Sequence, residues 1–109
     1  MGSKPETIAI AGQILRGIDK ALAIDLIFDE KPKAQYVIPQ MVKGVLDMIP
    51  KGRPPFIGIA GQLQDSISFP RYDFKPESVY RLIDNLQLVR DKVTAIKENG
   101  GNLPADAFL

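Results

Sequence analysis

Neither cysteine nor histidine occurs anywhere in the 109 residues. Without cysteine there is no disulfide framework, no thiolate nucleophile and no indication of the redox compartment. Without histidine the commonest general base near neutral pH and the commonest zinc ligand are both missing. Any catalysis would have to rest on carboxylates, lysine, tyrosine or hydroxyls, and no motif arranges these for that work. The expectation is therefore a non-enzymatic chain with no cofactor and no metal. An excess of either charge is lacking too: 14 basic against 13 acidic side chains leave a net +1. No global field pulls such a chain onto nucleic acid or an anionic membrane. No stretch approaches the ~18 apolar residues that a membrane span needs, and the opening MGSKPET has none of the apolar run of a signal peptide. Gly2 does not make a myristoylation signal, because that motif wants Ser or Thr where this chain has Glu6. The expected setting is the cytoplasm, with no membrane partner.

What is present is an ordinary globular composition, 45% hydrophobic and 25% charged. This suits one small domain over 1–109, with 1–4 and 102–109 as terminal segments. The clearest element is 76–98. There Val79, Leu82, Leu86, Val89, Val93 and Ile96 recur in steps of three and four, which puts all six on one helical stripe. Pro76 suits the first turn, Glu77 complements the positive helix start, and Asn99-Gly100-Gly101 supplies the stop. Residues 5–27 repeat the pattern through Ile8, Ala11, Leu15, Ile18 and Leu22, widened by Ile14, Ala21 and Leu26. Gly12 and Gly17 each cost about 1 kcal/mol relative to alanine inside a helix. Either that helix is marginal or something packs closely against it.

A shorter helix is expected over Ile38, Met41, Val42, Val45, Leu46 and Ile49, with Pro39 in its first turn and Pro50 ending it. Segment 56–69, FIGIAGQLQDSISF, satisfies both a helical face (Phe56, Ile59, Ala60, Leu63, Ile67) and a strand alternation. Helix is favoured, because a lone strand leaves its backbone ladder unpaired. The fold class is thus all-α, a bundle-like domain of three or four helices whose long first and last helices form the frame. The alternative is α+β, with 56–69 as strand.

Two local similarities invite other readings. IAIAGQIL at 8–15 partly returns as IGIAGQLQ at 57–64, and KPET at 4–7 as KPES at 75–78. A tandem duplication gives one offset, and these give 49 and 71, so both read as local signals for helix starts and small-residue packing. Nor is AGQ a phosphate cradle: Gly12 and Gly17 have the wrong sequel, Ile18, for G-x-x-x-x-G-K-[ST]. Asp25, Asp29 and Glu30 cluster, but Lys31 and Lys33 follow at once, and a solvated, salt-bridged loop is the better reading than a cation site.

The residues left for function lie in loops and at the end of the sequence. Arg, Tyr and Phe are the side chains that most often anchor interfaces, and proline lowers the entropy of ordering a loop. Arg53, Phe56, Phe69, Arg71, Tyr72 and Phe74 are therefore candidate contact residues, joined by Leu103, Phe108 and Leu109 of NLPADAFL. Leaving Phe108 and Leu109 in water forfeits roughly 1.5 to 3 kcal/mol each. They either fold back or dock in a partner. The expected function is a protein-interaction or assembly module, a homo-oligomer or a component of a larger complex. Two other classes stay open: a regulatory nucleic-acid binder using Lys43, Lys51, Arg53 and Arg71, and a small-molecule binder using Arg71, Tyr72 or Tyr80.

Overall fold

The computed structural model describes residues 4–67 and 71–102, and among these the chain forms four helices and no strand. They are α1 (Lys4–Leu22), α2 (Ala34–Met48), α3 (Gly61–Ser66) and α4 (Pro76–Glu98). The architecture is the expected all-α one, with α1 and α4 as its long frame. α4 matches its sequence signals from end to end: Pro76 stands in the first turn, Glu77 beside the helix start and Lys97 in the last turn. All six residues of its stripe are fully buried, and Ile83 joins them.

α1 runs antiparallel to α4. Gly101, just past the end of α4, lies against Lys4 and Thr7 at the start of α1. Near the other end the Arg90 Nε donates to Asp19 at 2.8 Å. The buried face of α1 is Thr7, Ala11, Ile14, Ile18 and Ala21, while Ile8, Leu15 and Leu22 are only half-buried. The stripe is therefore turned from the expected line, toward the residues that had appeared to widen it. α1 also ends sooner than expected, at Leu22 rather than near residue 27. The chain then turns, with the Ala23 and Ile24 N–H groups donating to Asp19 and Ala21 carbonyls, and Asp25, Asp29 and Glu30 fall in the connection. Asp25 pairs with Lys31 at 3.2 Å, both well exposed, as expected of a salt-bridged loop.

α2 begins four residues earlier than the sequence pattern suggested. Turns over Lys31 to Lys33 accept the first N–H groups of Ala34 to Val37, so the helix is under way before Pro39, which sits in its interior. An interior proline has no N–H to offer and costs about 3 kcal/mol or more. Pro39 is buried, and core packing offsets that cost. Over its described residues, 56–67, the segment at 56–69 is not a strand: 56–60 is a series of turns with Gly58 at φ +85°, and helix begins only at Gly61. Residues 68 and 69 lie outside the described ones. Phe56, Ile59, Leu63 and Ile67 all enter the core, so turn and short helix together bury the face a continuous helix would have.

The two AGQ copies take different backbone paths, one wholly inside α1 and the other entering α3 from a turn. They share only that Ala11 with Ile14, and Ala60 with Leu63, are buried. KPET and KPES do both open helices, α1 at Lys4 and α4 at Pro76. Of the two glycines in α1, Gly17 is a packing site: a Cβ there would meet the Val45 Cγ2 at 3.1 Å and the Met48 Sδ at 3.7 Å. Gly12 has open space.

Candidate functional site

The antiparallel frame gives the molecule two distinct ends. One carries the start of α1, the 50–56 loop and the end of α4, while the end of α2 stands against Gly17, beyond the middle of α1. The other carries the 23–33 connection, the start of α2, the 71–75 loop and the start of α4. The sequence candidates divide between them.

At the first end, Arg53 braces the loop to α1: its Nη2 donates to the Thr7 Oγ1 at 3.1 Å and its Nη1 to the Glu6 carboxylate at 3.4 Å. It is committed within the chain. Phe56 is fully buried, which corrects its candidacy, because in this fold it has no surface to offer a partner. Its N–H donates to the Arg53 carbonyl at 2.8 Å, and an apolar ring after the rigid prolines is the anchor of the loop to the core. Lys43 pairs with Asp47 one turn on, at 2.9 Å, and Lys51 is exposed. Arg71 stands near the first half of α4, at the other end from Arg53. The four cations proposed for nucleic acid therefore do not form one patch.

The second end collects the aromatics. Tyr72 and Phe74 meet edge to face at 4.9 Å between ring centroids, and Phe74 in turn meets Tyr36 of α2 at 5.6 Å. Phe74 is held at φ +56°, in the left-handed region. The Gln35 Nε2 donates to its carbonyl at 2.6 Å, which ties the strained turn to α2. Across the same end, Phe28 meets Tyr80 at 5.5 Å and the Tyr80 hydroxyl donates to the Leu26 carbonyl at 3.4 Å. Several large apolar side chains here face water, among them Tyr36 at 53% exposure, Tyr80 at 45% and Ile27 and Val37 at 43% each. Single exposed apolar residues are common on any protein; of the large ones exposed among the described residues, these four gather at this end, while Met48, Ile57 and Leu88 lie elsewhere.

Three clefts indent this end. Leu26, Ile27, Phe28, Asp29, Glu30, Pro76 and Tyr80 line one. A second, of about 500 Å³ with chiefly apolar walls, lies on the other side of the connection between Ile24, Pro32, Ala34 and Val37, with Glu30, Lys31 and Lys33 as its charged residues. The third, of about 400 Å³, is polar: Arg71, Tyr72, Asp73, Ser78 and Arg81 surround it with Asp65, Ser66 and Asn85. The Asn85 amide donates to the Ser66 hydroxyl there. Burial pushes the Tyr72 hydroxyl up to about 12, with the Asp73 charge adding to the shift and Arg81 opposing it. Asp73 is held below the usual carboxylate value by the Ser78 hydroxyl and the Lys75 backbone N–H that donate to it.

The structure thus brings together Arg71, Tyr72 and Phe74 from the expected set and adds Tyr36, Val37, Ile24, Ile27 and Lys33. Phe69, Leu103, Phe108 and Leu109 lie outside the described residues. Of the added residues only Val37 had a signal in the sequence. Val37, Met41, Gly44 and Met48 form a second stripe on α2, offset from the core stripe of Ile38, Val42, Val45 and Ile49. Starting the helix at Ile38 hides it.

Among the described residues, no group of acidic side chains is placed to hold a metal ion, and no helix is long and apolar enough to cross a membrane. No family model matches the chain, and neither a curated protein nor a solved structure matches it.

Proposed function

We propose that the protein is a non-enzymatic interaction module that self-associates, or docks in a larger assembly, through the end formed by the 23–33 connection, the start of α2 and the 71–75 loop. The observation that carries this reading is the concentration of exposed apolar and aromatic side chains there, chiefly Tyr36, Val37, Ile27 and Tyr80. Tyrosine and phenylalanine give large contact area for little lost side-chain freedom, and hot spots of interfaces are rich in them. Arg71, exposed beside Tyr72, supplies a charged rim.

The test compares the full chain with Tyr36→Ser and Ile27→Asp by light scattering and thermal unfolding. Tyr36 is 53% and Ile27 43% exposed, and Tyr36 gives up one ring contact with Phe74, so the variants keep the fold at a cost of about 0.5 to 1.5 kcal/mol. The expected result is a lower mass with a single cooperative unfolding transition retained. Variants with the mass of the parent at every concentration refute the placement of the interface.

The polar cleft favours a second reading, binding of a small anion. Arg71 and Arg81 flank it, and neither has an ion pair with a described carboxylate. Titration with inorganic phosphate at constant ionic strength tests it. Saturable shifts of the Arg81 and Asn85 resonances that vanish in Arg81→Gln support the reading, and a response no different from chloride removes it.

A further inference from the structure

The chain leaves the described fold at the end opposite the exposed apolar surface. Gly101 closes on the first turn of α1: a Cβ there would stand 3.3 Å from the Lys4 carbonyl oxygen and 3.5 Å from the Thr7 Cβ. The apolar cleft of Ile24, Pro32, Lys33, Ala34 and Val37 lies past the other end of that helix. From Thr7 to Leu22 the helical rise alone is about 23 Å, and the cleft lies further still, reaching across to α2. After Gly101 the sequence continues NLPADAFL. From Gly101 to Phe108 the chain spans at most about 25 Å, and only when fully extended. Drawn straight along α1, the segment just attains the rim of its own cleft and has no length left to turn into it. A second copy has no such limit.

Resting on the self-association reading, we propose that this cleft receives the Leu103–Leu109 segment of a second copy. Phe108 enters between Ile24 and Val37. Asp106, two residues earlier and so on the same side of an extended segment, meets Lys33, which makes no ion pair among the described residues. The segment and its receptor are different surfaces at opposite ends, so the contact is heterologous. Head-to-tail contacts of this kind build a ring or an open chain of copies, not a closed two-fold dimer.

Three species test this by light scattering: the full chain, a chain ending at Asn102, and the full chain with Val37→Asp. The shortened chain keeps every described core residue, and Val37 is exposed enough that its replacement spares the fold. The full chain is expected to grow beyond a dimer with concentration. Each variant alone remains a monomer, and an equimolar mixture of the two stops at a 1:1 dimer, because one partner lacks the segment and the other the receptor. Lys33→Glu weakens association roughly tenfold by placing like charges together, and adding Asp106→Lys restores it. If the shortened chain associates as the full chain does, the proposal fails while self-association stands. If the full chain is a monomer whose stability drops when the segment is removed, the segment docks on its own copy and both readings fail.

Discussion

Replacing the helical glycines of α1 by alanine separates close packing from simple helix cost. Alanine inside a helix is worth about 0.5 to 1 kcal/mol over glycine, because glycine loses more backbone freedom on folding. At Gly12 nothing lies within 4 Å of the new methyl group, so Gly12→Ala is expected to realise that gain in full. At about 4 to 8 °C per kcal/mol in a domain of this size, the midpoint rises by several degrees. At Gly17 the methyl would stand 3.1 Å from the Val45 Cγ2. Val45 is buried at 2% exposure and can retreat only into the core. Overpacking of that kind costs about 1 to 3 kcal/mol, which outweighs the helical gain. Gly17→Ala is therefore expected to be less stable than Gly12→Ala by about 1 to 3 kcal/mol in urea unfolding followed by circular dichroism, with unchanged slope. A Val45→Ala change should cost less in the Gly17→Ala background than alone, since the two methyl groups compete for one space. Equal stabilisation by both glycine replacements would refute the close approach of α1 and α2.

Phe56→Ala is expected to cost about 3 to 5 kcal/mol by emptying a fully buried site, whereas Tyr36→Ala gives up only the ring contact with Phe74, about 0.5 to 1.5 kcal/mol, and reduces the associated mass; chemical denaturation and light scattering read the two. Gly101→Ala should cost about 1 to 3 kcal/mol, since the residue stands at φ +92° and its methyl would press on the Lys4 carbonyl. In acid, the unfolded Asp73 carboxyl takes up its proton first. Its contribution to stability is thus complete above the ordinary value of 3.8 and lost as pH falls below that through the lowered folded value, and Asp73→Asn flattens this part of the acid limb. In alkali the sign reverses: the Tyr72 contribution is complete below the ordinary value of 10.0, fades as pH rises toward about 12, and is absent from Tyr72→Phe.

Legibility in the sequence followed how far each element's fate was local. α4 was readable from Pro76 to Glu98 because one stripe and both ends carried agreeing signals. The all-α class and the long frame followed from it and from α1. The turning of the α1 stripe was not readable, since Ile14 and Leu15 are equally apolar and only the position of α4 and α2 decides which is buried. The early start of α2 depended on turns over Lys31 to Lys33 that bypass Pro39, and no residue there is a strong cap. Of the site, Arg71, Tyr72 and Phe74 were visible as an aromatic and basic loop. Tyr36 was not, because its partner Phe74 is distant in sequence and the contact exists only when the two ends of α2 and α4 meet. Phe56 and Phe74 look alike in sequence. The fold buries one and leaves the other on the surface cluster.

The most direct test of the central claim is the solution mass of the full chain over a wide dilution series. Self-association through the aromatic end predicts a mass above the 12.0 kDa of one chain that falls toward it on dilution. A constant 12.0 kDa at every concentration would contradict it.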